Sequence, residues 1–440
     1  MWRNQEPNKL IFGIFLTFVV ARYMQWGARR SIFETIRIEF VLGLILTIVC
    51  AVIISRKPVD ISSAKNVVSG IALLFFAMLI QLPYAADPEM ANHIFVDRVI
   101  KFAMLTFFMA VMIRTPKSLG LFLTAFLFAC FYVTQESARG AITGGLVWEN
   151  QGVMRLHGAV PIYRHPNSLA GIAMGTIPFC IFLWPAIQRR WVKLLLIPPL
   201  ITSFICVLYS GSRTGYVAFF AFMVYWFWQS QNKKKWVMWT VLIAVVAMPF
   251  VPDQYIGRFK SIGGQEAEGQ SKQKRIEILE DAWQVLKTHP LGVGVASFPA
   301  VRREMFGRKQ DTHNLYLEVA TNLGVQGFIV FIFLIGSMVV NVFRMKTCIR
   351  RIRSRTSEIY KSCNNSISKN SLKRLDSELQ LIDATVTAIG GFMFVRLVLG
   401  LFGMDLYEVY WWFVAGLIIS MNMMIINLSV VNKRKMESKR

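Results

Sequence analysis

Long apolar runs constrain this chain more than any other feature of its sequence. They recur along most of its 440 residues, and a helix needs roughly 20 apolar residues to cross a hydrocarbon core of about 30 Å. Inside a membrane every backbone polar group must be bonded internally, so such runs fold as helices. Hydrophobic residues make up 55% of the chain and charged residues 17%. The sequence therefore predicts an all-α polytopic membrane protein.

We place a transmembrane helix on each run, about twelve in all. The expected spans lie near residues 10–26, 39–55, 67–84, 99–113, 118–134, 167–184, 192–210, 213–229, 236–251, 314–343, 382–403 and 409–431. The first run, preceded by Arg3 and Lys9, resembles a signal peptide. No small-residue cleavage site follows it, so we interpret it as an uncleaved first helix.

The distribution of basic residues predicts the orientation. A formal charge of +24 would indicate nucleic-acid binding in a soluble protein. Here most Lys and Arg fall in alternate loops, above all in 344–381, which is the bias of cytoplasmic loops. Both termini are therefore expected in the cytoplasm, with lipid rather than nucleic acid as the surrounding partner. Arg29, Arg30 and Arg37, in the first external loop, are exceptions.

This topology divides the chain into three parts. Residues 1–251 hold the first nine spans and an external segment, 135–166. Residues 252–313 form a large external loop, and 314–440 hold the last three spans and the basic loop 344–381. The external segments are expected to form a small cap with short amphipathic helices.

One such helix is predicted within the large loop. The stretch from Arg275 to Leu286 (RIEILEDAWQVL) has the spacing of an amphipathic helix, and His289-Pro290 ends it. Its apolar face is expected to carry Ile276, Leu279, Trp283 and Leu286.

Four polar patterns mark the external ends of the spans. The first is the turn Ser210-Gly211-Ser212-Arg213-Thr214-Gly215, and the second begins at Arg275 and continues as His289-Pro290-Leu291-Gly292-Val293-Gly294. The third is Thr312-His313-Asn314-Leu315-Tyr316-Leu317, followed by Gly324 and Gly327, and the fourth is Tyr163-Arg164-His165-Pro166-Asn167-Ser168.

The first three patterns, in this order and spacing, resemble those of the O-antigen ligase and polymerase superfamily of integral membrane glycosyltransferases. The resemblance covers essentially the whole chain through its topology. It implies transfer of a glycan from an undecaprenyl diphosphate carrier on the periplasmic face of the bacterial inner membrane. The length of the chain is most similar to that of the ligase, whose acceptor is the lipid A–core oligosaccharide.

The residue types suit that chemistry independently. A diphosphate leaving group needs cations that stabilise its growing negative charge, and guanidinium groups bind phosphate in a bidentate manner. A histidine can remove the proton of an acceptor hydroxyl near neutral pH. We therefore expect Arg213 and Arg275 to bind the diphosphate and His313 to act as the base. The external segments contain no Asp-x-Asp pair, so neither metal nor cofactor is expected.

Other external polar residues are candidates for substrate binding. They are Arg139, Arg155, Arg164, Asn167, Ser212, Arg303, Asn314 and Asp405. Purely structural roles are alternatives for two of the proposed site residues. Arg213 would serve equally as an interfacial anchor of a span, and Arg275 as a solvated helix residue.

Two alternative functions stay open. A polymerase of the same superfamily would have the same donor site and differ in the acceptor. A transporter or flippase for lipid-linked glycan would also have twelve spans. Such proteins place ionisable residues near the membrane midplane and show internal repeats, whereas this sequence shows no repeat and clusters its ionisable residues externally.

Overall fold

The protein is almost entirely helical, as the apolar runs predict. The computed structural model describes residues 8–56, 58–150, 153–248, 251–260, 270–362 and 366–437. The first helices are α1 (Lys9–Met24), α2 (Trp26–Arg29), α3 (Ser31–Thr35), α4 (Ile38–Arg56), α5 (Lys65–Gln81) and α6 (Pro88–Ile94), then α7 (Lys101–Met112) and α8 (Pro116–Thr143). A 3-10 turn at Ser62–Ala64 precedes α5, and a π-helical turn at Phe95–Ile100 joins α6 to α7.

The rest of the chain continues this pattern after a short hairpin. Strands β1 (Val147–Asn150) and β2 (Val153–Leu156) are antiparallel, with Val147 opposite Leu156. The later helices are α9 (Pro166–Leu183), α10 (Arg190–Leu194), α11 (Ile197–Tyr209), α12 (Arg213–Gln229), α13 (Lys233–Ala247), α14 (Asp253–Lys260), α15 (Gln270–Thr288), α16 (Phe298–Phe306), α17 (Leu315–Ser362), α18 (Ser366–Leu399) and α19 (Val409–Glu437).

The polytopic all-α class is confirmed. Among the described residues, eight helical segments of at least 18 residues are apolar enough to cross a membrane. The other four expected spans are also helices, but α1, α7, α12 and α13 have only 16, 12, 17 and 15 residues. The count of twelve therefore stays a prediction.

Helices α9 and α19 form the centre of the bundle. In each, 83% of the most apolar stretch is buried inside the protein, against 17% in the peripheral α4. Aromatic side chains fill the space between them, with the rings of Phe179 and Phe413 6.0 Å apart. Glycines let α18 approach α9 closely, because a Cβ on Gly175 would lie 2.9 Å from the ring of Phe392.

Glycines also explain the second and third sequence patterns. Helix α17 is kinked at Gly324, which has φ +73°, and a Cβ there would lie 2.3 Å from the carbonyl carbon of Leu291. The loop before α16 fits against this kink, with Val293 N–H donating to Thr321 O at 2.9 Å and Gly294 N–H to Asn322 O at 3.0 Å. These glycines therefore shape the backbone and fix the loop against α17.

The cap has a small apolar core of its own. Ala282 and Val285 of α15 pack with Phe298 and Val301 of α16 and with Val293 of the intervening loop. Helix α15 is present as predicted, and it ends at Thr288, just before His289.

The apolar face predicted for α15 does not contribute to this core. Ile276, Leu279 and Trp283 are 46%, 44% and 54% exposed. The face of α15 that packs in the cap also carries Asp281, whose carboxylate pairs with Arg302 of α16 at 2.8 Å.

The basic segment 344–381 is mostly helical. Helix α17 extends through it to Ser362 and α18 starts at Ser366. The two extensions are linked by an ion pair of 2.9 Å between Arg353 and Asp376.

A substitution at Gly292 tests the packing of its loop. Gly292 has φ +91°, and an added Cβ would lie 2.6 Å from Asn322 O, whereas Gly307 has φ +70° with nothing within 4 Å of that position. Both changes to Ala carry the left-handed backbone cost of about 1–2 kcal/mol. We expect Gly292→Ala to lower the thermal unfolding midpoint in detergent clearly more than Gly307→Ala. Equal shifts would show that the loop does not press on α17.

Candidate functional site

A buried arginine of the hairpin joins two of the sequence patterns. Arg155, on β2, is 3% exposed. Its Nε donates to Ser210 O at 2.8 Å and its Nη2 to Asn167 Oδ1 at 3.0 Å. The turn can present that carbonyl because Gly211 adopts φ +57°, a conformation that glycine reaches without strain. The hairpin, the start of α9 and the α11–α12 turn thus form one unit.

The same turn starts helix α12. Ser212 is its N-cap, with Oγ accepting from Gly215 N–H at 3.1 Å and donating to Asn167 Oδ1 at 2.8 Å. Arg213 is the first residue of α12 and is partly exposed. A helix N-terminus carries partial positive charge and free N–H groups, so Arg213 lies where an anion is already favoured.

Helix α9 starts beside this turn. His165 is its N-cap, and its Nδ1 accepts from Asn167 N–H at 3.2 Å. Desolvation, then the charges of Arg155 and His313, hold the pKa of His165 below its ordinary value. This coupling brings the third pattern into the same electrostatic neighbourhood.

His313 lies immediately before α17 in a strained conformation. Its φ is +48°, which is uncommon outside glycine and costs energy that functional sites often store. The next residue, Asn314, caps α17 by accepting from Tyr316 N–H at 3.0 Å and Leu317 N–H at 3.1 Å. The imidazole of His313 is exposed, with its Nε2 3.2 Å from Gln310 Nε2.

Three helix N-termini therefore lie at one end of the bundle, those of α9, α12 and α17. Asn167 links the first two through Ser212. The end of α18 connects the third to α9, since Arg396 donates to Gly171 O at 2.6 Å and Gly400 O accepts from Leu315 N–H at 2.7 Å. Each N-terminus favours an anion and presents N–H groups toward it. The site can thus bind a multiply charged anion beside an exposed imidazole.

Asp405, expected to bind substrate, is instead engaged with the protein. Its Oδ2 lies 3.4 Å from Nη1 of the buried Arg396, whose Nη2 donates to Gly171 O at 2.6 Å. The guanidinium also lies 3.2 Å from the centre of the Tyr410 ring. Burial raises the pKa of Asp405, while Arg396 acts in the opposite direction. The pair connects α9, α18 and the α18–α19 loop beneath the site.

Sequence reasoning missed two carboxylates beside His313. Asp311 is close enough for the charge of His313 to act on it, although burial raises its pKa. Glu318, in the first turn of α17, is 4% exposed and its Oε2 accepts from Leu406 N–H at 3.1 Å. Their proximity in sequence to His313 was the available signal.

The other predicted site residues make no described contact with the group formed by Arg155, Asn167 and Ser212. Arg139, Arg164 and Arg303 are exposed. Arg275 lies on α15, but its side chain is outside the described part of the structure.

Several basic residues are accounted for by ion pairs. Arg302 and Arg308 both bind the carboxylate of Asp281, at 2.8 and 3.0 Å, so their charges are compensated within the cap. Arg29, an exception to the charge bias, pairs with Glu136 of α8 at 2.8 Å.

Comparison with known families agrees with this geometry. The model of the family described as O-antigen ligase matches residues 198–332, which run from α11 through the Ser210–Gly215 turn and the cap to His313 and the first half of α17. These residues are similar to the O-antigen ligase family. Among curated proteins, no match to the chain was found. The resemblance expected from the sequence is therefore confirmed for residues 198–332, which contain two of the three helix N-termini.

Removing the carboxylate of Asp405 tests the buried pair. Asp405→Asn leaves Arg396 buried beside a neutral side chain, and breaking a buried pair in this way costs about 3–5 kcal/mol. We expect a large fall in the thermal unfolding midpoint, with much of it restored in the double variant Arg396→Met/Asp405→Asn.

Asp97→Asn is the matched control, because Asp97 is 43% exposed and pairs with Lys101 at the surface. Such pairs contribute about 1 kcal/mol or less. A midpoint for Asp405→Asn no lower than that of the control would contradict a stabilising role for the pair.

Proposed function

We propose that this protein transfers O-antigen glycan from undecaprenyl diphosphate to a hydroxyl of the lipid A–core oligosaccharide. The reaction would take place on the periplasmic face of the bacterial inner membrane. The observation that carries the proposal is the convergence of three helix N-termini with Arg213 and His313 at one end of the bundle. The similarity of residues 198–332 to the O-antigen ligase family supports a membrane glycosyltransferase.

The diphosphate would lie over the N-termini of α9 and α12. Arg213, first residue of α12, would bind it in a bidentate manner, and Arg275 would approach from the cap. The guanidinium of Arg155 donates hydrogen bonds to Ser210 O and to Asn167 Oδ1. We therefore assign Arg155, Ser212 and Asn167 to positioning the turn that presents Arg213.

His313 would be the general base. Its imidazole accepts the proton of the acceptor hydroxyl while that oxygen forms a bond to the anomeric carbon of the glycan. The bond from this carbon to the diphosphate oxygen breaks, and the electron pair leaves with undecaprenyl diphosphate. The added negative charge develops where Arg213 and the helix N-termini already favour it.

The neighbouring carboxylates suggest how His313 is supported. Asp311 lies near enough to stabilise the imidazolium that forms during transfer. Asp311 is also a better substitute base than Glu304, which is exposed on α16, or Asp405, which is paired with Arg396.

The acceptor side would involve the exposed basic residues. Arg139, Arg164 and Arg303 are available to the anionic core oligosaccharide, and Asn314 shapes the entrance beside His313. The three-part division at 251 and 313, with both termini in the cytoplasm, is retained as part of the proposal.

Two variants should separate donor binding from turnover. Arg213→Ala should weaken donor binding and transfer together, and Arg213→Lys should rescue poorly because a point charge lacks the bidentate fork. His313→Ala should still bind donor but lose about 10²–10⁴ in rate. Both are measured by donor binding and single-turnover transfer in membranes, with excess EDTA present because we propose a metal-independent reaction.

Arg30→Ala and His93→Ala serve as matched controls, since both side chains are exposed elsewhere. Near wild-type transfer by folded His313→Ala would exclude His313 as the base. Complete inhibition by EDTA that Mg²⁺ reverses would exclude the metal-independent reaction.

A polymerase is the closest alternative, since the donor site described above would be the same. The lipopolysaccharide of a deletion strain distinguishes the two. We expect loss of all O-antigen-capped core. Persistence of core capped with a single repeat unit would indicate a polymerase instead.

A further inference from the structure

A cavity of about 680 Å³ lies at the other end of the bundle from the candidate site. It is enclosed by α8, α10 and α11, by the end of α9 and by α18. Its walls include Leu123, Leu127 and Leu183, and its rim includes Gln188 and Arg189. The volume is within the range of about 300–1,000 Å³ of small-molecule sites.

The helix directions separate this cavity from the site. Helix α9 begins at the site and its last residue, Leu183, lines the cavity. Because α9 has 18 residues and a helix rises about 1.5 Å per residue, the two lie about 27 Å apart along the bundle. At this distance the cavity cannot receive a group that reacts at the site.

The chemistry of the cavity changes from its depth to its rim. The lining is largely aliphatic and aromatic, with Leu123, Leu127 and Leu183 buried, and its one cation is the exposed Arg189. Arg190 and Lys193 follow Arg189 in the sequence without lining the cavity. Trp191 lines the cavity and is 62% exposed, and Lys193 lies 5.5 Å from the ring of Trp184. Tryptophan and basic residues together are typical of a helix end at the headgroup level of a membrane.

We propose that this cavity binds an acyl chain of an anionic glycerophospholipid, with the phosphate held by Arg189 and Arg190. The apolar depth excludes a water-soluble anion, and the basic rim favours an anionic over a zwitterionic headgroup. Basic pockets between membrane helices are known to bind anionic headgroups in this way. The proposal does not depend on the function proposed above.

Filling the cavity tests the acyl-chain part. Thr124→Trp places a large ring in the cavity, and Gly120→Leu does so with little strain, because a Cβ at Gly120 would meet only Leu381 Cδ2 at 3.7 Å. Leu121→Trp is the matched control, since Leu121 is 45% exposed and does not line the cavity.

The measurement is native mass spectrometry of the full-length protein in detergent, titrated with phosphatidylglycerol. We expect one tightly retained lipid on the wild type and on Leu121→Trp, and its loss from both filled variants. Equal retention by all four proteins would overturn the proposal, as would tighter retention of an added polyprenyl phosphate than of phosphatidylglycerol.

Charge removal tests the headgroup part. Arg189→Gln and Arg190→Gln should each weaken phosphatidylglycerol binding about fivefold, because each charge near an anionic lipid contributes to that extent. Phosphatidylethanolamine should bind the wild type more weakly and should not respond to these changes. An equal affinity of the wild type for both lipids, or displacement of the lipid by inorganic phosphate, would contradict the assignment.

Discussion

The arrangement of the site depends on one buried guanidinium, that of Arg155. Removing such a charge from water costs several kcal/mol unless every donor is compensated, and here a backbone carbonyl of the α11–α12 turn and the side chain of Asn167 accept from it. Because these acceptors belong to different elements, satisfying the charge also sets their relative positions. Ser212 then caps α12 against the same Asn167. The hairpin is short, yet it fixes the two helix starts between which an anion would lie.

A second buried arginine fixes the other half of the site by the same logic. Arg396 is 2% exposed and reaches Gly171 O because glycines on α9 leave room beside it. Immediately after the end of α18, Gly400 O accepts from Leu315 N–H at 2.7 Å, and this bond holds the start of α17 in place. The position of His313 thus follows from how α18 is held against α9. The directional bonds of these buried charges set the relative positions of the helices in an otherwise apolar bundle. Apolar packing is non-directional and would not by itself fix the position of one helix along another.

Structural features that depend on a local sequence pattern, such as the helices and the Ser-Gly-Ser-Arg turn, could be predicted from the sequence. Apolar runs predict the helices because the membrane leaves the backbone no other choice, and the Ser-Gly-Ser-Arg turn is recognisable because a cap, a left-handed glycine and a cation are adjacent. Pairings between distant segments could not be predicted. Asp405 has the same appearance in sequence whether it meets substrate or Arg396. The burial of Asp281 on α15 depends on Arg302, 21 residues later, and is not predictable from the sequence of the helix itself. The segment 344–381 was taken as a loop for its charge, although Arg and Lys are good helix formers.

The converging N-termini and arginines give the site a positive field before any ligand binds. At His165, burial and then the charges of Arg155 and His313 lower the pKa of the imidazole. Such a field costs stability through repulsion between like charges, and a bound diphosphate would reverse that cost. In the proposed reaction the negative charge on the carrier increases as the glycosidic bond breaks, so the relief is greater in the transition state than in the bound substrate. An interaction of that kind raises the rate of the chemical step and does more than tighten binding. The same positive groups that make the empty site unfavourable would therefore account for both donor selection and catalysis.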